Sequence, residues 1–314
     1  MIKSFLSLVE IQTKVASVFP FLIGTVAALY LFGHVDLLNA LLMFFSLLCI
    51  DMATTGFNHY YDYKRAILKT GYHYQVHNPL ATGSFQHKTA FKILVTLVVI
   101  GTVLGLLLVL RTDWVVLVLG GLAFLVGLGY STGPLPLSRT ILGELFSGGF
   151  MGGLIPFIAF YIHSTKSELF NMAYASGQLS LNIDLTLLAP IILLAFPLAC
   201  FISNVMLANN ICDMDEDIIN KRYTLPISIG KSNALMLYRG LIVAAFFSVA
   251  VSLATGILPL PYALTCVTIP VISQKTKIFT HDPIKGKTFV NAVQTLMMFS
   301  AASLIGMLIA YFMA

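Results

Sequence analysis

Long apolar runs broken by short polar stretches set the character of this chain, and each run is about the length needed to cross a hydrocarbon core roughly 30 Å thick. They fall at about 15–33, 36–57, 90–110, 114–132, 142–162, 187–209, 238–257, 258–273 and 289–313. The pattern predicts an all-α, multi-spanning bundle of nine transmembrane helices. The seventh and eighth runs share a tight turn at Gly256–Pro261, and the eighth is short enough to be tilted or partly re-entrant.

Two polar clusters interrupt this pattern, each at the end of an apolar run. The first is Asn58-His59-Tyr60-Tyr61-Asp62, continuing into Lys64 and Arg65; the second runs from Asn209 through Asp213 to Asp217 and continues into Lys221 and Arg222. Both place an Asn four residues before an Asp, which on a helix is about 40° past a full turn. Asn58 therefore shares a face with Asp62, and Asn209 with Asp213 and Asp217. The matching spacing suggests an internal duplication of one domain, with halves of about 1–140 and 141–314.

Composition agrees with a membrane protein: 58% of the 314 residues are apolar and 10% charged, against about 25% charged in soluble domains. With the N-terminus inside, Lys and Arg collect on the cytoplasmic side, and of the 18 basic residues only Arg111 and Lys166 fall outside. The net charge of +5 needs no nucleic-acid partner, since this bias accounts for it, with a share left for an anionic substrate. Function is expected on the cytoplasmic face, where segments 58–89, 212–237 and 274–288 are long and polar; the outer segment 163–186 carries Ser, Asn and few charges. Cys49, Cys200, Cys212 and Cys266 show no CxxC spacing and read as small buried residues. The N-terminus lacks a short apolar region with a cleavage site and reads as a mature first helix.

Carboxylates and amides stacked on one face and followed by Lys and Arg are hard oxygen ligands beside phosphate binders. Magnesium keeps several waters and is usually shared between one or two carboxylates and substrate phosphates. A diphosphate held this way is a good leaving group; if its organic part is allylic, the metal and nearby cations stabilise the charge that develops on the departing oxygens. The competing reading, that these residues merely end helices at the headgroup level, fits poorly with three aspartates at a helix C-terminus, where the dipole favours cations.

The chain resembles the UbiA superfamily of intramembrane prenyltransferases, and within it the 1,4-dihydroxy-2-naphthoate polyprenyltransferase branch. The resemblance rests on Glu10 to Lys14 leading into Pro20, the first cluster with Asp62-Tyr63-Lys64-Arg65, Tyr130 to Pro136, Leu142 to Phe146, and Asn209 to Asp217 followed by Lys221 to Leu225. It implies that Asn58, Asp62, Asp213 and Asp217 hold magnesium and diphosphate, with Asn209 beside them, and that Lys14, Lys64, Arg65 and Lys221 contact phosphate. It also implies a central cavity open to the cytoplasm and laterally to lipid, where the prenyl tail lies. Two positions depart from the family pattern: His59 stands where an acid is usual, and Ala66 where many members have the last acid of an extended motif. Tyr130 is followed by Pro134, where 4-hydroxybenzoate-type members tend to carry a basic residue.

Other residues have two readings. Glu144 could orient or deprotonate a naphthol hydroxyl, or simply favour a helix N-terminus. His73 and His77 read as loop polarity or substrate contacts rather than a zinc pair. Of the aromatic residues only Tyr60, Tyr61 and Tyr130 are expected near the site, and the basic run Lys275–Lys287 reads as a headgroup-facing loop. The expected reaction transfers a polyprenyl group from its diphosphate to 1,4-dihydroxy-2-naphthoate with loss of carbon dioxide, giving a demethylmenaquinone. Alternatives are a different acceptor (4-hydroxybenzoate, haem or a glycerol phosphate), a secondary transporter built on a duplicated bundle, or a catalytically weakened binding protein.

Overall fold

A computed structural model describes residues 2–67, 78–83, 85–133, 136–164, 169–175 and 178–314. Lys69, Gly71, Tyr72, His73, Tyr74, His77, Pro134, Leu135 and Lys166 lie outside the described residues. A short α1 (Ile2–Leu8) and a 3-10 turn (Ile11–Lys14) lead into α2 (Val15–Phe32), α3 (Leu37–Arg65), α4 (His87–Arg111) and α5 (Trp114–Ser131). The next span is composite: α6 (Gly143–Ser147), a π-helical stretch (Gly148–Leu154) and α7 (Ile155–Tyr161). The outer segment expected at 163–186 holds an antiparallel hairpin, β1 (Phe170–Ala175) with β2 (Gln178–Ile183), in which Phe170 faces Ile183 and Ala175 faces Gln178. Then follow α8 (Leu185–Cys212), α9 (Met214–Ile219), α10 (Leu225–Ile229), α11 (Lys231–Ala254), a 3-10 helix (Leu260–Thr268), α12 (Ile269–His281) and α13 (Val290–Met313).

Among the described residues, 8 helices are long and apolar enough to cross a bilayer. The eighth apolar run, expected at 258–273, is composite: nine residues of 3-10 helix pass into the 13-residue α12, which continues to His281. The cause is local. Pro259, Pro261 and Pro270 each lack an N–H, so an i→i−4 ladder cannot be completed across this stretch. Packing holds the irregular backbone in place, because a Cβ on Gly306 of α13 would come within 2.7 Å of the Pro261 carbonyl oxygen.

Three spans start from an aspartate at the end of the bundle opposite the polar clusters. Asp36 accepts from the Asn39 N–H at 2.8 Å, Asp113 from Val115 N–H at 2.8 Å and Asp184 from Thr186 N–H at 2.8 Å. Each satisfies a donor that the first helical turn would otherwise leave unpaired. At the same end Arg111 bonds Asp36 and Asn39, the Asn39 amide donates to the Ile162 carbonyl, and buried His163 accepts from the Asp36 N–H at 3.1 Å.

The core gathers around α8, which packs on α11, α13 and the π-helical stretch. Two glycines make the last contact possible: a Cβ on Gly152 would lie 2.4 Å from the Ala199 backbone, and one on Gly148 would lie 2.0 Å from Ser203 Oγ. A smaller apolar cluster joins α1, α3 and α4 through Leu8, Phe57, Tyr60, Phe85 and Leu94.

Candidate active site

Helix α3 runs eight residues beyond its apolar stretch, so Asn58 and Asp62 sit within a continuous helix. Its polar face carries Asp51, Thr55, Asn58 and Asp62 in line, as their spacing on a 3.6-residue turn requires. Helix α8 ends differently. It stops at Cys212, and Asp213 leaves the helical conformation (φ −98°, ψ 4°). The Asp217 N–H still donates to the Asp213 carbonyl at 2.8 Å. The expected face of Asn209, Asp213 and Asp217 therefore survives a change of element, because α9 resumes the turn almost in register.

Arg222 brings the two clusters together. Its Nη1 donates to Asp62 Oδ2 at 3.2 Å, its Nε lies 3.2 Å from Asp217 Oδ1, and its Nη2 donates to the Ser138 carbonyl at 3.3 Å. The side chain is only 7% exposed. Burial works against its charge, but the Asp62 and Asp217 carboxylates, with Asp213 behind them, outweigh burial and hold the guanidinium pKa above its usual value. Arg139, from the turn after α5, donates to the other Asp62 oxygen at 2.9 Å, and the Ser138 hydroxyl reaches Asn58 Oδ1 at 3.5 Å. Asp213 is held by Lys285 at 2.6 Å, which also bonds Asn209 Oδ1, and by the Asn209 amide at 3.3 Å.

Three carboxylates thus face three cations, all near the ends of α3 and α8. Sequence reasoning placed Arg222 only among the basic residues that follow the second cluster, gave Arg139 and Ser138 no role at the site, and read Lys285 as headgroup-facing. Arg222 was within reach, directly following Lys221 in the second cluster. Arg139 and Lys285 carried no local signal, since only the tertiary fold delivers those loops to the acids.

The remaining expected residues are placed as follows. Lys14 lies in a buried network away from the arginines: its ammonium bonds Asp51 Oδ1 at 2.7 Å and Thr55 Oγ1 at 2.7 Å, while Ser17 holds the other Asp51 oxygen at 2.6 Å. Asp51 is three helical turns from Asp62 on the same face. Lys221 is exposed with a left-handed backbone (φ 53°), turned out by the bend that turns Arg222 in. Lys64 sits over the Tyr60 ring, Arg65 over the Tyr61 ring, and Arg65 also donates to the Gly133 carbonyl at 2.7 Å. Tyr60 packs toward α4 against Phe91, on the face of α3 away from Asp62. His59 is buried, its Nε2 3.1 Å from Glu10 Oε1 and its carbonyl accepting from Asn78, so it ties the N-terminal elbow to α3. Ala66 caps α3. Glu144 is buried at the start of α6, accepting from the Asn210 amide at 2.8 Å, while Tyr130 OH reaches the Gly143 carbonyl at 3.5 Å.

No group of three or more His, Cys, Asp or Glu side chains forms a ready-made metal cage among the described residues. The donor set is nonetheless of the right kind for magnesium. Asp62, Asp213, Asp217, Asn58 and Asn209 offer only hard oxygens, divided between two helix ends, as suits an ion shared with phosphate oxygens rather than one enclosed by protein. Lys285 bonding both Asn209 and Asp213 marks a point where a cation is already favoured. The three cations supply the opposite charge that a diphosphate needs.

The profile of the UbiA prenyltransferase family matches residues 17–301. The 1,4-dihydroxy-2-naphthoate octaprenyltransferase of Bacillus subtilis is 30% identical over 304 residues, 96% of this chain and 91% of that protein. Among solved structures, an apo UbiA homologue from Aeropyrum pernix has a TM-score of 0.68 at 18% identity, covering 93% of this chain and 97% of its own. A UbiA homologue from Archaeoglobus fulgidus, bound to DMAPP and Mg2+, has a TM-score of 0.62 at 13% identity, covering 98% of this chain and 99% of its own. At these identities the structural likeness establishes the fold.

Proposed function

Because the chain belongs to the UbiA prenyltransferase family, we propose that it transfers a polyprenyl group from a polyprenyl diphosphate to 1,4-dihydroxy-2-naphthoate, releasing diphosphate and carbon dioxide and giving a demethylmenaquinol, the reduced form of demethylmenaquinone. The acceptor is carried over from the name of the Bacillus subtilis relative. The observation that carries the donor half is the convergence of Asp62 and Asp217 on one buried arginine, with Asp213 and Lys285 alongside.

Asp62, Asp213 and Asp217, with Asn58 and Asn209, would hold magnesium, which when bound neutralises the diphosphate and polarises its bridging oxygen. Arg139, Arg222 and Lys285 are placed to exchange carboxylate partners for phosphate oxygens, and the planar fork of each arginine suits that contact. Their positive charge then lies where negative charge grows as the allylic C–O bond breaks, and fixed donors of this kind lower the barrier without reorganising. Exclusion of water from the allylic cation lets the aromatic carbon capture it. No covalent enzyme intermediate is required.

The bundle is read as one prenyltransferase domain with an internal duplication, α3 and α8 being the equivalent helices that end in Asn-x-x-x-Asp. Its cavity is read as opening to the cytoplasm with the N-terminus inside, supported by the distribution of Lys and Arg. The test is prenyl transfer in nanodiscs with farnesyl diphosphate, 1,4-dihydroxy-2-naphthoate and magnesium, for wild type, Asp62→Asn and Asp213→Asn. A magnesium-dependent lipophilic naphthoquinol, recovered as its quinone after air oxidation, that falls about 10²-fold or more in both variants supports the reading. Diphosphate binding without naphthoate turnover would move the acceptor elsewhere in the family.

A further inference from the structure

Beside the diphosphate cradle lies a second polar pair that the donor half of the reaction does not use. Glu144 is 4% exposed and Asn210 0% exposed. Their one mutual contact, Asn210 Nδ2 to Glu144 Oε1 at 2.8 Å, fixes both side chains. The Glu144 backbone is fixed as well, its carbonyl accepting from Ser203 Oγ at 3.0 Å. Two atoms remain buried without a hydrogen-bond partner: Glu144 Oε2 and Asn210 Oδ1. Both are acceptors. A buried acceptor without a donor costs about 1–3 kcal/mol, more for a charged one, so a pair of them at one place needs an explanation.

Position supplies one. Asn210 adjoins Asn209 of the proposed diphosphate cradle on α8, and Tyr130 OH reaches the carbonyl of Gly143, the residue before Glu144, at 3.5 Å. The pair therefore lies at the helix end that carries the proposed cradle, and it lacks what a phenol would bring, an O–H donor. We propose that Glu144 and Asn210 form the recognition site for a ring hydroxyl of the aromatic acceptor, with Glu144 Oε2 taking its hydrogen bond. The proposal rests on the prenyl-transfer reading above and adds the residues that select the acceptor.

The hydrogen bond to a carboxylate pushes electron density into the ring at the carbon ortho to that hydroxyl. As this carbon bonds to the allylic carbon, the C–O bond to diphosphate breaks with its electron pair on the leaving oxygen. The phenolic proton passes to Glu144 Oε2 and the ring oxygen becomes a carbonyl. When the carbon attacked is the one bearing the carboxylate, loss of carbon dioxide returns the electron pair to the ring, the oxygen recovers its proton from Glu144, and the product leaves as the quinol. An acceptor without the hydroxyl leaves the buried Glu144 Oε2 unpaired, and sites of this kind reject such analogues strongly.

The test is anaerobic calorimetry on full-length protein in nanodiscs, with magnesium and farnesyl thiodiphosphate present, titrating 1,4-dihydroxy-2-naphthoate against 1,4-dimethoxy-2-naphthoate. Wild type is expected to prefer the dihydroxy compound by about 10²-fold or more. Glu144→Gln and Asn210→Leu should bring the preference to within about threefold while leaving thiodiphosphate affinity within about twofold, which also shows that the variants are folded; Glu144→Asp should restore part of it. A Glu144→Gln protein that keeps the wild-type preference would overturn the proposal and leave the pair as a core hydrogen bond. Wild type that binds thiodiphosphate but neither naphthoate would instead remove the acceptor named above. The same comparison would then be made with 4-hydroxybenzoate and 4-methoxybenzoate, where no hydroxyl preference would overturn the role of the pair as well.

Discussion

Replacing Arg222 with Met should damage this protein far more than replacing Arg139 with Met, although both arginines bond the same aspartate. Arg222 is 7% exposed and serves Asp62, Asp217 and the Ser138 carbonyl. Removing it leaves Asp217 without its guanidinium, Asp62 with one cation instead of two, and a buried carbonyl short of a donor. Breaking a buried pair in this way costs about 3–5 kcal/mol, because the surviving charge stays desolvated. Arg139 has a side chain 16% exposed and leaves behind an Asp62 still held by Arg222; its loss should cost about 1 kcal/mol, close to that of a solvated pair. Reversible unfolding in mixed detergent micelles, for wild type, R222M, R139M, D217N and R222M/D217N, measures these differences. The double-variant cycle should show coupling between Arg222 and Asp217 of about 1.5 kcal/mol or more. If R222M falls within about 1 kcal/mol of wild type, or R139M costs as much as R222M, the bridging role assigned to Arg222 is wrong.

At the far end, burial pushes His163 down to about 4 from its ordinary 6.5, with the Asp36 carboxylate only partly opposing. The unfolded chain therefore binds a proton that the folded one refuses, and stability should fall by about 3 kcal/mol as pH drops from 6.5 toward 4, a slope that His163→Gln should flatten in unfolding curves against pH. Lys14→Met should destabilise by about 3–5 kcal/mol by stranding Asp51, and Lys14→Met/Asp51→Leu should recover most of that. Farnesyl diphosphate affinity that stays low in the recovered double variant would mean that Lys14 reaches phosphate after all. Gly152→Ala places a Cβ 2.4 Å from the Ala199 backbone and should cost about 1–3 kcal/mol through separation of the π-helical stretch from α8; an unchanged melting temperature would refute that close packing. Lys285→Met should lower diphosphate affinity about tenfold or more in direct binding, and equal affinity would return Lys285 to a headgroup role.

Much of this protein was legible without coordinates, because the bilayer imposes a simple rule. Each span must satisfy its own backbone and present apolar side chains over a fixed length, so nine spans were read from runs of Leu, Val, Ile and Phe, and eight helices of that length stand among the described residues. The acids were legible for a similar reason, since Asn58 with Asp62 and Asn209 with Asp213 and Asp217 stand out against an apolar background at helical spacing. The proline-rich stretch at 259–270 was harder. Its composition suits a span, but apolarity alone did not announce that it would be built as a 3-10 helix passing into α12, with close packing against Gly306 securing the irregular backbone.

What the sequence alone determined, then, was the membrane-spanning character, the approximate helices and the alignment of acids with amides at two helix ends, all of which depend on contacts within about four residues. Which cations face those acids was decided by tertiary structure. Arg139 lies 77 residues from Asp62 in the chain, Arg222 lies 160 away, and Lys285 lies 72 from Asp213. Lys221 and Arg222 are neighbours of like charge, yet one is exposed and the other buried, because the left-handed turn at Lys221 sends them in different directions. A side chain's charge is written in the sequence, but its partner is chosen by the packing of distant helices, and it was packing that paired Glu144 with Asn210 and left two of their oxygens without donors.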